Sequence, residues 1–252
     1  MKEFKIALQI YSIREEAEKD FEATLKNIKS FGYDGVELAG FYGNSPEQVQ
    51  TWLKENNLEC ISAHVSYASL CMETEEIVKV YKMLGCKYIA IPGLDNSCYS
   101  GNGYNELLKN ITMISHVCKK MGIQLLYHNH AEEFEIKTAQ GDCWLDDLYE
   151  KTTAEELQTE FDTGWVQIAG QDPAEYILKY KGRSPVIHLK DYSNIEPIEF
   201  CSVGQGQLRV EEILQAAEEA KTEWLVVEQD THMVQTKLED VARSVEYLKN
   251  LK

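Results

Sequence analysis

The chain has 252 residues, of which 25 are Lys or Arg and 42 are Asp or Glu, so its formal net charge at pH 7 is −17. A surface this acidic repels a phosphate backbone, so nucleic acid is not an expected partner. Hydrophobic residues make up 44% of the chain and charged residues 27%, values typical of a globular protein that exclude the disordered, fibrous and collagen-like classes.

A short apolar run of β type followed by a longer segment of helical period recurs about eight times along the chain. The predicted strands cover residues 5–10, 35–38, 59–64, 88–91, 124–130, 157–162, 185–190 and 224–228. The helices that follow them are predicted at 14–31, from Pro46, up to Leu84, at 104–121, at 144–150, from Pro173, at 210–220 and at 238–251. Proline after a capping serine at Ser45-Pro46 and glycine after the last turn at Gly85 and Gly122 support these limits.

Strands that alternate with helices indicate right-handed crossovers and a parallel sheet. Eight such units in about 250 residues match the usual size of a (β/α)8 barrel, so we predict one TIM-barrel domain over residues 1–252. A doubly wound open sheet is the alternative fold. It is disfavoured because the chain has no G-x-G-x-x-G after its first strand and no G-x-x-x-x-G-K-[ST] anywhere, the motifs that bind nucleotide phosphates.

Cysteine usage and the length of the apolar runs indicate a cytoplasmic protein. The seven cysteines include no C-x-x-C pair and no tight cluster, so neither a disulfide framework nor a zinc knuckle is expected. The first residues, MKEFKIALQIYSIREE, lack the apolar core and the cleavage site of a signal peptide. No apolar run approaches the ~18 residues that a membrane span requires, so we expect no membrane partner.

Ionisable side chains stand at the ends of the fifth to the eighth predicted strands. In a TIM barrel these ends meet at the C-terminal face, where catalytic groups lie. Period-2 alternation lets each strand direct one ligand inward, and the best common set is His128, Asp162, His188 and Glu228. Two neutral imidazoles and two carboxylates balance a divalent cation and suit Mn²⁺, Zn²⁺, Fe²⁺ or Co²⁺ better than Mg²⁺. We therefore expect one divalent metal ion, with Mn²⁺ as the first candidate.

Each of these residues also has an ordinary structural explanation. A single histidine at a strand end is more often a hydrogen-bonded structural residue than a metal ligand. Asp162 precedes Thr163-Gly164 and could close a local turn, and Glu228 could begin a solvated loop. A structural explanation gives no reason for His, Asp, His and Glu to end four consecutive strands, so the joint set favours a metal site.

Seven motifs occur in order over nearly the whole chain: IALQIYSIRE, GYDGVELAG, YHNHAEEF, FDTGWVQIAGQDP, IHLKD, VGQG and VVEQD. Together they resemble the xylose isomerase-like barrel superfamily of sugar isomerases, epimerases and inosose dehydratases. This resemblance implies a (β/α)8 fold and a divalent metal ion held at the ends of strands five to eight. By motif, the ligand role carries over to Asp162, His188 and Glu228.

The fifth strand departs from the epimerase pattern, in which a glutamate usually stands where this chain has His128. In the epimerases, two glutamates act on opposite faces of the substrate carbon, one removing a proton and the other returning it. A metal-bound imidazole has no free lone pair for that task. The string YHNH resembles the His-rich strand end of the inosose dehydratases, which remove water from a keto-cyclitol. DNA-repair endonucleases share the superfamily but need a basic face, which the net charge disfavours.

The predicted chemistry is removal of a proton next to a carbonyl. The metal ion would polarise the carbonyl of a hydroxyketone or ketose, and Glu228 would remove the neighbouring proton to give an enediolate. Lys190 could donate a hydrogen bond to the oxyanion or to a leaving hydroxyl, or it could form a salt bridge with Asp162 or Asp191. His130 could orient a metal ligand or return the proton.

Further substrate contacts are predicted at the ends of other strands. By position and family resemblance, Gln9, Glu37 and His64 could bind sugar hydroxyls or close a structural network. Trp165 could offer its ring to a sugar or cover the core. Cationic side chains are sparse at the predicted strand ends, which favours an unphosphorylated sugar.

Three functional hypotheses follow, and the leading one is a metal-dependent isomerase or epimerase of a free sugar or keto-sugar. The alternative is a lyase that removes the same proton but expels a β-substituent from a keto-cyclitol or a 3-keto-glycoside. The third is a catalytically silent barrel that binds a sugar or serves as a partner subunit. Assembly into a homo-oligomer is left open because no apolar stripe specifies an interface.

Overall fold

A computed structural model describes residues 3–231 and 235–251 of the chain. Its strands are β1 (Lys5–Gln9), β2 (Gly35–Leu38), β3 (Glu59–Ala63), β4 (Tyr88–Ile91), β5 (Gln124–His128), β6 (Gln158–Asp162), β7 (Val186–Leu189), β8 (Asp191–Ile195), β9 (Ile198–Cys201) and β10 (Trp224–Val227). All except β8 and β9 form one parallel sheet in the order β3-β2-β1-β10-β7-β6-β5-β4.

The sheet closes into a barrel between β3 and β4. His64, the residue after β3, forms a parallel bridge with Ala90 of β4, and the Val65 N–H donates to the Ala90 carbonyl at 2.9 Å. The other neighbouring strands pair in parallel over three or four residues each. The predicted (β/α)8 TIM barrel is confirmed.

Helices surround the barrel. They are α1 (Arg14–Lys19), α2 (Phe21–Phe31), α3 (Pro46–Glu55), α4 (Tyr67–Leu84), α5 (Gly101–Lys120), α6 (Glu132–Glu135), α7 (Trp144–Glu150), α8 (Thr163–Ile168), α9 (Pro173–Lys179), α10 (Val210–Ala220) and α11 (Lys237–Asn250). Ser45 and Thr236 start α3 and α11 with complete capping boxes, which satisfy the free backbone N–H groups of the first turn. No described helix is long and apolar enough to cross a lipid bilayer.

The prediction of one helix over residues 14–31 is wrong, because Asp20 divides it into α1 and α2. The Asp20 backbone is extended, with φ −159° and ψ 95°. Its carboxylate accepts the Ala23 N–H at 2.9 Å and so starts α2. An aspartate that caps a helix in this way competes with continuation of the preceding helix.

Five barrel strands, β1, β3, β5, β7 and β10, end one or two residues earlier than predicted, and the chain adds a hairpin that the sequence pattern did not indicate. His130, Lys190 and Glu228 lie just beyond β5, β7 and β10. The antiparallel hairpin of β8 and β9 follows Lys190. Asp191 holds the base of this hairpin, because its carboxylate accepts backbone N–H bonds from residues 192, 204, 206 and 208 at 2.8–2.9 Å.

The inside of the barrel changes from apolar to polar along the strands. Its apolar part comes from the first and middle strand positions: Ala7, Ile61, Tyr88, Ala90, Leu126, Val186, Trp224 and Val226. The last strand positions and the residues just after them carry buried polar side chains: Gln9, Glu37, Ser62, His128, Glu160, Asp162, His188, Lys190 and Glu228. The polar groups are therefore concentrated at the C-terminal end.

Gly164 of α8 packs against the backbone of Lys190 and provides a test of this packing. A Cβ at Gly164 would lie 2.1 Å from the Lys190 carbonyl oxygen, so Gly164→Ala must displace α8 or the chain after β7. We expect this variant to lose about 1–3 kcal/mol of unfolding free energy in urea denaturation, the usual range for overpacking. Gly93→Ala is the control, because a Cβ there meets no atom within 4 Å. Equal losses in both variants would contradict the packing argument.

Candidate metal centre

Strand register brings the predicted ligands together. Asp162 of β6 pairs directly with His188 of β7, and His128 of β5 pairs with Glu160 of β6. Glu228 follows β10, which lies on the other side of β7. Because all these strands are parallel, their C-terminal residues meet at one end of the barrel.

His128, Asp162, His188 and Glu228 form a compact group, here called the upper cage. One ligand atom from each lies within 4.8 Å of the others, and all four residues are buried. His128 Nε2 lies 3.8 Å from Asp162 Oδ2 and 3.9 Å from Glu228 Oε2, and His188 Nδ1 lies 2.8 Å from Glu228 Oε2. The structure therefore brings the predicted ligand set together.

The upper cage fits a divalent ion of the predicted kind. Metal–ligand bonds of about 2.0–2.2 Å place ligand atoms about 3–4.4 Å apart around one ion, close to the observed separations. The two oxygens of Asp162 have different surroundings: Oδ1 accepts the Trp165 N–H at 3.1 Å and caps α8, whereas the buried Oδ2 faces the other cage residues and lies 2.9 Å from Lys190 Nζ. The donor set of two imidazoles and two carboxylates is one that suits a divalent cation.

A second set of polar side chains lies directly beneath the upper cage. This lower layer consists of the buried residues Gln9, Glu37, Ser62 and Glu160 and of His64, whose side chain is 10% exposed. Glu37 accepts a hydrogen bond from the Gln9 amide at 2.6 Å and another from the Ser62 hydroxyl. His64 Nε2 lies 2.8 Å from Glu160 Oε2 and 3.1 Å from Glu37 Oε1. The predicted substrate residues Gln9 and Glu37 therefore belong to this network.

The two layers meet at the ligand histidines. His188 Nε2 lies 2.8 Å from Glu37 Oε1, and His128 Nδ1 lies 3.4 Å from Glu160 Oε2. Each imidazole thus presents one nitrogen to the upper cage and the other to a carboxylate of the lower layer, the usual surroundings of a metal-bound histidine. His64, His128, Glu160 and His188 also satisfy the spacing of a metal site as a group.

Burial and charge shift the pKa values of these groups in opposite directions. Burial lowers the pKa of His188, but the charges of Glu37 and Glu160 outweigh it and raise that pKa well above its ordinary value. The same two carboxylates raise the pKa of His64 to about 10 against the effect of burial. Burial raises the pKa of Glu160 to about 7, with a further contribution from Glu37. Without a metal ion, His64 and His188 are therefore protonated beside the Glu37 carboxylate, whereas burial and the charges of His188 and His64 lower the pKa of His128 well below its ordinary value.

Lys190 is buried and forms ion pairs with three carboxylates. Its Nζ lies 2.9 Å from Asp162 Oδ2, 3.1 Å from Glu228 Oε2 and 3.1 Å from Asp230 Oδ2. Burial lowers the pKa of Lys190, but these three charges raise it further than burial lowers it. The salt bridge expected with Asp162 is present, and Asp191 instead holds the hairpin. The geometry gives Lys190 the task of fixing two carboxylates of the upper cage.

A cavity of about 660 Å³ opens above the upper cage. The described residues that line it are Tyr11, Arg14, Ala39, His64, Pro92, His128, His130, Trp165, Glu228, Asp230 and Thr231. His64, His130 and Trp165 were predicted as site residues. Gln9, Glu37 and Lys190 are not among its described lining residues.

Sequence reasoning missed the part of the cavity wall that follows β1. The Arg14 guanidinium stacks 4.2 Å from the centre of the Tyr11 ring and donates to the backbone carbonyl of Tyr11 at 2.9 Å. Both residues lie in the IALQIYSIRE motif, but the 3₁₀ turn at Ile10–Ile13 that places them has no hydrophobic period to distinguish them from their neighbours. The motif and their position after the first strand were the available signals.

His130 is a candidate acid–base group of the cavity that lies outside the upper cage. Its backbone N–H donates to Glu133 at 2.8 Å, and the Tyr127 hydroxyl donates to the same buried carboxylate at 2.7 Å. Its ring lies 5.2 Å from the ring of His128 and 5.7 Å from that of Trp165, measured between centroids. Burial, with a further effect of the Lys190 charge, lowers the pKa of His130 to about 4, so its imidazole is neutral at pH 7.

Removal of a cage ligand should weaken metal binding. We expect His188→Gln to reduce Mn²⁺ or Zn²⁺ affinity by at least about 100-fold, since loss of a mere supporting partner already costs 10–100-fold. Titration calorimetry and metal analysis of dialysed protein measure this. The matched control is His116→Gln on the exposed side of α5, which should bind like the parent protein. Unchanged affinity in His188→Gln would exclude the upper cage as the metal site.

Metal binding should also release protons. A metal ion binds neutral imidazole, whereas the raised pKa of His188 keeps that ring protonated at pH 7 in the metal-free protein. Apparent affinity should therefore rise with pH up to the His188 pKa, by as much as about tenfold per pH unit for each proton displaced. Calorimetry in buffers of different ionisation enthalpy counts these protons. A count of zero at pH 7 would contradict the charge assignment.

Comparison with known proteins supports the family suggested by the motifs. A family model described as Xylose isomerase-like TIM barrel matches residues 25–251. The inosose dehydratase of Geobacillus kaustophilus (strain HTA426) is 23% identical over 193 residues, which span 68% of this chain and 61% of that protein. A crystal structure of a sugar phosphate isomerase/epimerase from Parabacteroides distasonis ATCC 8503 superposes with a TM-score of 0.86 at 24% identity over 99% of both chains. A structure of IolI protein with bound zinc has a TM-score of 0.76 at 14% identity, over 98% of this chain and 96% of that chain. Because the family model matches most of the sequence, this chain belongs to the xylose isomerase-like TIM-barrel family.

Proposed function

We propose that this protein is a divalent-metal-dependent enzyme that removes the proton next to the carbonyl of a sugar or keto-sugar, with isomerisation or epimerisation as the outcome. The observation that carries this proposal is the upper cage, whose ligand atoms lie within 4.8 Å of one another. Two of its members, His128 and Glu228, line the cavity that would receive the substrate. The zinc-containing structure with the same fold adds support.

The upper cage would hold the ion through two imidazoles and two carboxylates, whose formal charge of −2 matches a divalent cation. Mn²⁺ is the proposed ion, with Zn²⁺, Co²⁺, Fe²⁺ and Mg²⁺ as alternatives. A bound ion of this kind polarises a substrate carbonyl and makes the adjacent C–H acidic. The lower layer would keep His128 and His188 correctly oriented toward it.

Glu228 is the proposed base. It lines the cavity, and burial raises its pKa less than the charges of Lys190 and His188 lower it, so it is a carboxylate at pH 7. A carboxylate has two oxygens and can contribute one to the cage while the other accepts the proton. A base positioned in this way typically contributes 10²–10⁴-fold to the rate.

His130 is the proposed second acid–base group, and Lys190 is a positioning residue. A neutral imidazole at the cavity wall can take up a proton and return it to the enediolate from a direction different from that of Glu228. Lys190 spends its three N–H donors on Asp162, Glu228 and Asp230, so it acts through these carboxylates and not on the substrate.

The charge around the cavity favours an unphosphorylated substrate. Arg14 and the protonated His64 are the cations among the described lining residues. Arg14 already contacts Tyr11 and the Asp230 backbone carbonyl, and His64 is paired with Glu37 and Glu160. Glu228 and Asp230 place carboxylates on the same wall. A phosphate group would meet this negative potential, whereas sugar hydroxyls can bind to carboxylates and carbonyls. His64 and Trp165 are the predicted substrate residues best placed for such contacts.

Elimination is the second candidate outcome, and two observations favour it. His128 takes the place at which epimerases use a second glutamate, and a curated relative is an inosose dehydratase. A lyase would use Glu228 for the same first step. The C–O bond of a β-substituent would then break, and the leaving oxygen would take up the proton that Glu228 had removed, with the neutral His130 imidazole able to relay it.

Proton exchange and product analysis separate these outcomes. The Mn²⁺-loaded protein would be incubated in D₂O with ketoses, inososes and 3-keto-glycosides, and the mixtures read by NMR and mass spectrometry. Deuterium in an isomer of otherwise unchanged mass supports isomerisation or epimerisation. Loss of water or of an aglycone supports the lyase. Metal binding without any exchange across the panel would support a silent sugar-binding barrel or a partner subunit.

Two variants test the assigned residues. Glu228→Gln should abolish exchange of the α-proton, whereas His130→Gln should retain metal but lower turnover by about 10²–10⁴-fold. Metal content and circular dichroism are measured alongside, so that loss of the base is distinguished from loss of the ion or of the fold. His116→Gln again serves as the control. Undiminished exchange in metal-loaded Glu228→Gln would remove Glu228 as the base.

A further inference from the structure

Cys60 and Cys86 lie in contact at the N-terminal end of the barrel, far along the strand from the metal centre. Their Sγ atoms are 3.1 Å apart. Cys60 is the second residue of β3, and Cys86 lies two residues before β4. Both side chains belong to the apolar layer between the sheet and the surrounding helices. Neither thiol has a role in the proposed reaction.

The strand register makes this contact a property of the backbone and not of two flexible side chains. His64 and Ala90 are bridge partners across β3 and β4, and the same offset of 26 residues relates Cys60 to Cys86. Nearby, the Lys87 N–H donates to the Ile61 carbonyl at 3.1 Å. Neighbouring strands lie about 4.8 Å apart, which falls within the Cα separation of about 4.4–6.8 Å that a disulfide requires.

A small reagent has a route to this pair. Cys60 is 5% exposed and Cys86 is 2% exposed, but Cys60 also lines a surface cavity of about 340 Å³. Leu53 of α3, Met83 of α4 and Trp224 of β10 form other parts of its wall. The cavity admits a molecule of the size of hydrogen peroxide.

We propose that Cys60 and Cys86 are an oxidative modification site, at which a peroxide converts the two thiols into an intramolecular disulfide. One thiolate attacks a peroxide oxygen, the O–O bond breaks, and a sulfenic acid and one water result. The second thiol attacks the sulfenic sulfur, the S–S bond forms, the S–O bond breaks, and a second water leaves. Two thiols are oxidised by two electrons, and hydrogen peroxide is reduced to two waters.

The disulfide would join the barrel at its seam. β3 and β4 are the end strands of the eight-stranded order, and they are joined by the bridge of His64 with Ala90 and by the Lys87–Ile61 backbone hydrogen bond. A disulfide between Cys60 and Cys86 closes a loop of the chain that contains α4. It therefore reduces the conformational freedom of the unfolded chain. Burial raises the pKa of Cys86 well above its ordinary value, with a further effect of Cys60. Oxidation should therefore be slow at neutral pH and faster in alkaline buffer.

The full-length protein, treated with hydrogen peroxide and then digested without reduction, tests the proposal. Mass spectrometry should find the Cys60 and Cys86 peptides cross-linked, with loss of two hydrogen atoms. The oxidised protein should unfold about 5–10 °C higher than the reduced one, and dithiothreitol should reverse both changes. This measurement on the unaltered chain needs no variant to fold.

Variants provide the controls. Cys60→Ala and Cys86→Ala should each abolish the cross-link and the thermal shift. Cys118→Ala, which removes another buried free thiol from α5, should preserve both. Free thiols at residues 60 and 86 after oxidation, sulfinic acid at either residue without a cross-link, or a cross-link that survives Cys86→Ala would each overturn the proposal.

Discussion

Compensation of buried charge at the C-terminal end of the barrel is the constraint on which the rest of the site depends. Carboxylates, imidazoles and one ammonium group lie together there: Glu37, Glu160, Asp162, Glu228, His64, His188 and Lys190. A buried ion without a partner costs several kcal/mol. None of these groups can therefore be understood alone, since each carboxylate lies within about 3 Å of a cation or a hydrogen-bond donor. The balance is completed by a divalent cation in the proposed function.

The parallel sheet makes such a concentration of charge possible. Alternating residues of a strand point to the same side, so Glu160 and Asp162 of β6 both face the barrel interior. They are two residues apart along the strand, and Asp162 is nearer the C-terminal end of the barrel. The lower layer and the upper cage are thus successive layers of the same barrel, filled with polar side chains where other layers hold Ile61 or Leu126. The strand ends consequently provide both the proposed ligands and the groups that orient them.

Chemistry and recognition come from different parts of the fold. The cage lies on or directly after strands, whose backbone is held by the sheet, whereas Tyr11, Arg14 and Trp165 come from the turns and short helices that follow strands. Members of one fold family can therefore share the removal of an α-proton and differ in its outcome, because loops change without disturbing the barrel. In the proposed function, His128 at a cage position is the residue that bears most directly on that outcome.

Hydrophobic period and capping residues in the sequence determined the alternation of strands and helices, because burial of one face imposes a period on each element. The same period marks the ends of the fifth to the eighth predicted strands, so the sequence predicts the four residues of the upper cage. Local hydrogen bonds decide two features that the sequence pattern does not predict: the break of a predicted helix at Asp20 and the hairpin after Lys190. The hydrophobic period does not show whether such bonds are strong enough to interrupt a regular element.

Only the tertiary structure decided what each polar side chain contacts. From the sequence, Asp162 could be a turn residue or a ligand, and in the structure one of its oxygens caps α8 while the other faces the cage beside Lys190. The sequence offers Lys190 as a substrate contact or as a partner of Asp162 or Asp191, and it does not indicate the contact with Asp230, forty residues later. The pairing of Cys60 with Cys86 depends on how β3 meets β4 when the barrel closes. Contacts between residues distant in sequence follow from strand register and side-chain packing, which a linear pattern of residue types does not contain.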